Sequence, residues 1–301
     1  MEYPLFSVII PTYARPQKLS ECLSALSEMD YPNFEVVIVD DGSPMSLDEI
    51  IIIWQKKLTI NLVKQENRGP STARNSGVNY AKGKFLAFTD DDCIPTKDWL
   101  NQFAQQLDKT PDALVGGCTI NGLDHNIYAS TSQMLVDYLY DYYNKGDNKN
   151  RQTSFFTSNN FAVSKEIFMQ IGGFSQLLTT AEDRELCDRA LTLGYEMIYL
   201  PSAVVYHYHD LTLIQFWRQH FNYGRGAIHF NLVRAERNVG KIKAEGSFFY
   251  LNLFLYPFKQ GYYFRCIIIS GLLVLTQIAH TVGCFQERRR INKSLSIKLD
   301  L

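Results

Sequence analysis

The sequence predicts an α/β fold: a mostly parallel central sheet with helices on both faces, followed by an apolar helical extension at the C-terminus. Three observations lead there. Residues 6–89 alternate short β-rich runs with helix-spaced segments, the rhythm of a parallel sheet. Each run ends on a proline, a turn signal or acidic residues, as strands do where an open α/β sheet places its ligands. The tail then changes to long aromatic and aliphatic stretches.

Residues 6–10 read as a buried strand stopped by Pro11, and Pro16 opens a helix over 16–28 with apolar Leu19, Cys22, Leu23 and Leu26. A second strand at 34–39 ends in Asp40-Asp41-Gly42-Ser43, a turn signal. A helix near 46–57 and a strand near 60–64 follow, then a helix opened by Gly69-Pro70 and closed by Gly83. The strand at 84–89 runs into Asp90-Asp91-Asp92. Beyond residue 110 the spacing predicts strands at 113–120 and 155–163, with a helix and a Tyr-rich loop in 124–154 between them. It then predicts helices at 164–170 and 181–193, an extended run at 196–206 and a helix at 212–227. Residues 247–258 are strongly apolar, and 266–284 carry no formal charge before Glu287-Arg288-Arg289-Arg290. The second stretch approaches the ~20 apolar residues of a membrane span. An interfacial hairpin and a buried soluble hairpin fit it as well.

With 301 residues and 46% hydrophobic content, the chain suffices for one large domain, or one domain plus an extension. A net charge of -1 gives no field toward nucleic acid, and none is expected as a partner. Six cysteines without paired spacing read as reduced thiols, and Met1-Glu2-Tyr3-Pro4 does not open a signal peptide. No G-x-G-x-x-G follows the first strand and no G-x-x-x-x-G-K-[ST] occurs, which argues against a dinucleotide redox enzyme and a P-loop enzyme.

Three adjacent carboxylates repel one another, and folding does not ask for them at a strand exit. A hard divalent cation between carboxylates and substrate phosphates makes sense of them, whereas a solvated acidic turn is the plain alternative. Asp40 or Asp41 suits a ribose or base contact, or an Asx turn. Arg74, one turn inside a helix, suits a pyrophosphate. Thr180 with Asp183 has the form of a capping box, and a carboxylate here also suits a general base. His207 and His209 alternate in strand fashion and so share one side, as ligands or phosphate donors.

Taken in order, these segments resemble glycosyltransferase family 2 with the GT-A-type fold. The resemblance is carried by Ser7-Val8-Ile9-Ile10-Pro11-Thr12-Tyr13, Val37-Ile38-Val39-Asp40-Asp41-Gly42-Ser43 and Asn67-Arg68-Gly69-Pro70-Ser71-Thr72-Ala73-Arg74-Asn75. Phe88-Thr89-Asp90-Asp91-Asp92, Gly172-Gly173-Phe174 and Glu182-Asp183 complete it over roughly residues 5–225. It implies a nucleotide pocket at Pro11, Thr12, Tyr13, Asp40, Asp41, Arg74, Asp90 and Asp91. Asp90 and Asp92 become the outer acids of a D-x-D signature that meets ribose and metal (Mg²⁺ or Mn²⁺), with Asp91 at the variable middle position and His207 as a further metal or phosphate contact. Asp183 becomes the base with Glu182 beside it, and Gly172, Gly173 and Phe174 fall on the acceptor side.

The implied reaction is inverting transfer of one sugar from a nucleoside diphosphate sugar, UDP being the family's commonest nucleotide, to a carbohydrate or lipid-linked acceptor in polysaccharide, glycolipid or cell-envelope synthesis. Gln215-Phe216-Trp217-Arg218 lacks the Gln-x-x-Arg-Trp order of processive synthases, which favours single transfer. The expected organisation is a transferase domain over 1–230, divided into a nucleotide-binding half (1–110) and an acceptor half (111–230). A C-terminal extension over 231–301 is expected to hold the protein in the cytoplasm against the inner face of the plasma membrane. A nucleotidyltransferase of sugar metabolism and a non-catalytic nucleotide-sugar-binding membrane protein are the alternative functions.

Overall fold

The computed structural model describes residues 3–144, 154–240, 242, 245–261 and 265–299. Two compact units divide the chain, one comprising residues 1–122 and 143–208, the other 123–142 and 209–301.

The first unit is built on an eight-stranded mixed sheet surrounded by helices, with strand order β3-β2-β1-β4-β7-β6-β8-β5. β1 (Phe6–Thr12), β2 (Phe34–Asp40), β3 (Ile60–Lys64) and β4 (Phe85–Phe88) are parallel neighbours, as the alternation predicts. β1 is buried at every position, and its sequence is mostly apolar, with Ser7 and Thr12 the polar exceptions. β7 (Phe161–Ser164) then pairs antiparallel with both β4 and β6 (Leu114–Asn121). β8 (Met197–His207) runs parallel to β6 and carries β5 (Cys93–Pro95) antiparallel on its outer edge. Register matters for the chemistry. Thr12 lies opposite Asp40, β4 stops beside Ile9, and Cys93 lies opposite His207.

Helix α1 (Pro16–Leu26) has Pro at its start and buries Leu19, Cys22, Leu23 and Leu26, the four positions its spacing singles out. α2 (Asp48–Trp54) is shorter than expected. α3 (Pro70–Tyr80) ends at an extended Ala81, before the Gly83 expected to close it. Gly83 has another reason to be glycine: a Cβ there would sit 2.5 Å from the Ser7 nitrogen. No element is predicted for residues 93–109, where the structure has β5 and α4 (Trp99–Lys109). The helix buries Trp99, Leu100, Phe103 and Leu107, a helical spacing that the acidic run before it masks. The strand expected at 155–163 is confined to β7, and α6 (Lys165–Ile171) and α7 (Glu182–Thr192) follow.

The second unit is helical: α5 (Ile127–Tyr143), α8 (Leu213–Glu236), α9 (Ser247–Lys259) and α10 (Cys266–Leu299). The loop expected after α5 falls at residues 145–153, outside the described residues. Asn126 caps α5, its Oδ1 accepting from the nitrogens of Tyr128 and Ala129. Met134, Tyr138, Phe249, Leu253, Tyr256, Ile269 and Leu273 form one cluster. Gln215 forms the capping box of α8 with Thr212.

α8 and α10 meet backbone to backbone at two glycines. A Cβ on Gly224 would lie 1.9 Å from the His280 carbonyl oxygen, and one on Gly283 would lie 2.0 Å from that of Phe221. Nearby, the buried Glu287 carboxylate holds Arg225 (2.7 Å), His229 (2.9 Å) and Arg290 (2.8 Å). Gly224→Val therefore has to prise the helices apart, with an expected loss of about 3 kcal/mol, the upper end for overpacking. Denaturant unfolding checks it; an unchanged midpoint would show that the contact yields freely.

Candidate active site

The carboxyl ends of β1, β2 and β4 lie side by side, and their exits bring the polar residues together, all within the first unit. At the exit of β2 the two acids divide their work. Asp40 Oδ1 accepts from the Ser43 nitrogen (2.9 Å), the local turn its sequence context suggests. Asp41 reaches further: Oδ1 accepts from Gln65 Nε2 (2.7 Å) and the Arg68 nitrogen (2.9 Å), and Oδ2 from the Gly69 nitrogen (2.8 Å). It thereby fixes the loop into α3. Gly69 caps that helix at φ +85°, a backbone region that favours glycine, and Pro70 opens it.

One turn into α3, Arg74 is buried, and its guanidinium spans two acids from distant parts of the chain. Nη2 donates to Asp90 Oδ1 at 2.6 Å and Nη1 to Glu182 Oε1 at 3.2 Å. Burial works against its charge, but Asp90 and Glu182 outweigh it and raise the pKa. The guanidinium also lies 5.5 Å from the centre of the Phe174 ring. Nε has no hydrogen-bond partner among the described residues.

The three consecutive aspartates point three ways, which relieves their repulsion. Asp90 is held by Arg74. Asp91 is fully buried: Oδ2 accepts from Thr12 Oγ1 (2.7 Å), and Oδ1 faces Arg15 Nη2 at 2.9 Å in an ion pair lacking hydrogen-bond alignment. Burial pushes its pKa to about 7 against the pull of Arg15 and Thr12. Asp92 lies between Arg15 Nη1 (2.8 Å) and His207 Nε2 (3.3 Å). Burial opposes protonation of His207, yet the Asp92 hydrogen bond and charge prevail and raise its pKa.

The Cys93–His207 register explains this last meeting, because it lays the end of β8 against the acidic exit, and the Tyr208 nitrogen donates to the Asp92 carbonyl at 2.8 Å. β8 ends at His207, so the strand alternation does not extend to His209. Arg15 is the residue the sequence left without a role. Its signal was a basic side chain just past the first strand, three residues beyond Thr12. Pro11 and Thr12 are buried, and the Tyr13 ring is half-exposed.

α7 brings the last pair. The expected capping box is not formed: the N-cap is Ala181, at φ +68° with no side-chain hydrogen bond, and the helix starts one residue later than a Thr180 cap requires. A non-glycine residue held left-handed is strained, a condition common beside functional sites. Glu182 is buried on Arg74, whereas Asp183 is partly exposed, with Oδ1 accepting from the Arg184 nitrogen at 2.7 Å. Burial raises both carboxyl pKa values, and for Glu182 the neighbouring Asp183 charge adds to it.

Gly172, Gly173 and Phe174 shape the approach to this helix. Gly172 is the left-handed cap of α6 at φ +92°. The carbonyls of Ile171 and Gly173 accept from Arg189, and Asn75 pairs with both backbone groups of Phe174 (2.8 and 2.9 Å). Phe174 itself is buried among Phe88, Phe161 and Phe168.

Ligand atoms of Asp92, Cys93 and His207 lie within 4.8 Å of one another. The Cys93 sulfur is a soft donor, poorly matched to a hard cation, and burial lifts its pKa above the ordinary thiol value. The Asp92 carboxylate suits Mg²⁺ or Mn²⁺ as the protein's share of a set that phosphate oxygens complete, and the His207 nitrogen is a donor better matched to Mn²⁺ than to Mg²⁺. Asp90, expected as a further ligand, is engaged by Arg74.

The chain is similar to known proteins. Glycosyltransferase AglE of Haloferax volcanii is 28% identical over 214 residues, 68% of this chain and 67% of its own length. Chondroitin synthase of Pasteurella multocida is 28% identical over 235 residues, 67% of this chain but 24% of that protein, so the chain spans about a quarter of it. Among solved structures, the mannosyltransferase PcManGT from Pyrobaculum calidifontis, in complex with GDP-Man and Mn²⁺, superposes with a TM-score of 0.61 at 20% identity, covering 99% of this chain and 81% of that one. S. aureus TarS 1-349 in complex with UDP-GlcNAc does so with a TM-score of 0.56 at 17% identity, over 96% and 92%. These likenesses identify the fold as GT-A-type. The family model described as Glycosyl transferase family 2 matches residues 7–172, from β1 through the acidic exit to the cap of α6. With more than half of the sequence inside that match, the chain belongs to glycosyl transferase family 2.

Proposed function

We propose that the protein transfers a single sugar, with inversion, from a nucleoside diphosphate sugar to an acceptor hydroxyl, with UDP as the first nucleotide to test. The supporting observation is Arg74. By holding Asp90 and Glu182 on one guanidinium, it joins the acidic strand exit to the start of α7, where the partly exposed Asp183 is found.

In this reading Pro11, Thr12, Tyr13, Asp40 and Asp41 form the nucleotide side, with Asp91 anchoring the acidic turn from beneath. Asp92 and His207 would hold Mn²⁺ or Mg²⁺, which would supply positive charge for the departing diphosphate. Asp183 accepts the proton of the acceptor hydroxyl as its oxygen bonds to the anomeric carbon. The bond from that carbon to the diphosphate oxygen breaks on the opposite face, and no covalent enzyme intermediate forms. Arg74 keeps Asp90 and Glu182 oriented throughout. A single well-placed donor to the growing negative charge contributes about 3–4 kcal/mol in such sites. Gly172, Gly173 and Phe174 border the acceptor side through their backbone, since the Phe174 ring is buried.

A carbohydrate or lipid-linked acceptor accords with relatives bearing polysaccharide-synthase names and with the second unit. Cys266–Lys293 is long and apolar enough to cross a membrane. Its exposed Ile267, Val274, Ile278, Val282 and Phe285 form one helical stripe, and α9 exposes Phe248, Leu251, Leu255 and Phe258 on one face. Because α10 is fastened to α8 at Gly224, Gly283 and Glu287, we read these stripes as lying in a membrane surface, on its cytoplasmic side, with the exposed arginines near residue 289 at the head groups.

The test is a panel of nucleoside diphosphate sugars with Mn²⁺ and membrane-lipid or oligosaccharide acceptors. Release of nucleoside diphosphate is expected. Release of pyrophosphate would favour the nucleotidyltransferase, and no turnover with tight binding would favour the non-catalytic binder.

A further inference from the structure

We propose that Arg15 competes with the divalent cation for Asp92, and that this competition ties cation binding to the arrival of the diphosphate; the proposal rests on the metal-dependent reading above. Arg15 spans two acids, Asp91 at 2.9 Å and Asp92 at 2.8 Å, but the two are not equivalent partners. Asp91 is fully buried, so stripping it of its countercharge would leave a dry, unpaired carboxylate. Asp92 also has His207 on its other oxygen and belongs to the group of potential metal ligands. The Arg15 side chain is 49% exposed, so water can take over one arm of its fork at small cost. Its position is built in by the preceding residue: Ala14 is left-handed at φ +55°, and its nitrogen donates to Ser43 Oγ at 2.8 Å.

A cation at Asp92 would draw on the same carboxylate that Arg15 Nη1 holds through Oδ2, and two positive groups weaken each other's hold on one carboxylate. Arg15 then keeps Asp91 and frees Nη1. A bare cation meets this opposition in full. A cation arriving with a nucleoside diphosphate brings oxygens that can accept the freed N–H, so the two ligands help each other bind.

The experiment measures Mn²⁺ affinity by electron paramagnetic resonance, without and with UDP, for the parent protein, Arg15→Gln and Arg15→Lys. In the parent, UDP tightens Mn²⁺ binding. Arg15→Gln is expected to bind Mn²⁺ alone about tenfold more tightly, the worth of one charge-assisted hydrogen bond, and to gain less from UDP. Lysine offers one ammonium and cannot span both acids, so Arg15→Lys is expected to shift the same way by less; it carries the test if the glutamine variant does not fold. A merely structural role for Arg15 lowers affinity in both conditions and leaves the gain from UDP unchanged. Folded variants with unchanged or weaker affinity for Mn²⁺ alone would overturn the proposal. A parent protein that binds no Mn²⁺, with UDP or without, would remove the metal-dependent reading and this proposal with it.

Discussion

Replacing Asp183 with asparagine is expected to slow sugar transfer by about 10²–10⁴-fold, the usual contribution of a positioned general base, and to leave nucleotide affinity at the parent value. The amide is nearly isosteric, and its oxygen can still accept from the Arg184 nitrogen, so the start of α7 is preserved. What is lost is the capacity to take a proton. The pH profile adds a signature. Burial lifts the Asp183 pKa above the ordinary aspartate value, with Glu182, Arg74 and Arg184 as its charged surroundings. The base works only when ionised, so the parent rate falls as pH drops through that raised pKa. The acid limb accordingly lies above the ~3.9 of a free aspartate, and it disappears from the residual rate of the asparagine variant. Steady-state transfer across pH checks both features, and a parent-like rate would take the base role from Asp183.

Arg74→Met is the second large effect, and it appears first in stability. Methionine fills much of the volume but leaves Asp90 and the buried Glu182 without their shared cation. Breaking a buried pair from one side costs about 3–5 kcal/mol, because the stranded carboxylates must protonate or draw in water. The loss reaches the site, since Arg74 orients the acidic turn and α7 together. Chemical denaturation should show a lower midpoint, and nucleotide binding should weaken in the fraction that remains folded. Were Arg74 only a surface charge, neither quantity would move by more than a fraction of a kcal/mol.

The reason Arg74 was legible at all, and Arg15 was not, says where sequence reasoning reaches. Strand and helix spacing makes β1 to β4 and α1 readable, because β1, β2 and β4 are buried and mostly apolar, β3 is a short apolar-rich run, and α1 buries its periodic positions. Motif order marked the acids at the strand exits. The edge strand β5 is only three residues long, and α4 follows an acidic run that hides its apolar spacing. The Asp92–His207 contact depends on the pairing of β5 with β8, a long-range register that composition does not reveal. The Thr180 capping box failed because the same residue types that cap a helix also surround a strained turn, and local pattern does not separate the two. Arg15 needed the coordinates: two acids 76 and 77 positions along the chain become its partners only when β1 and β4 lie side by side.

The proposed mechanism requires one convergence, in which Asp92 and His207 would hold a cation that a nucleoside diphosphate helps to bind. Its most direct test is a UDP titration followed by thermal shift, with and without Mn²⁺, on the parent protein and on Asp92→Ala. Ligand binding to the folded state raises the midpoint, so the reading needs no substrate. The parent is predicted to gain stability from UDP far more with Mn²⁺ than without, and Asp92→Ala to respond equally weakly in both. An equal dependence on Mn²⁺ in the two proteins would contradict the account and remove Asp92 from the site.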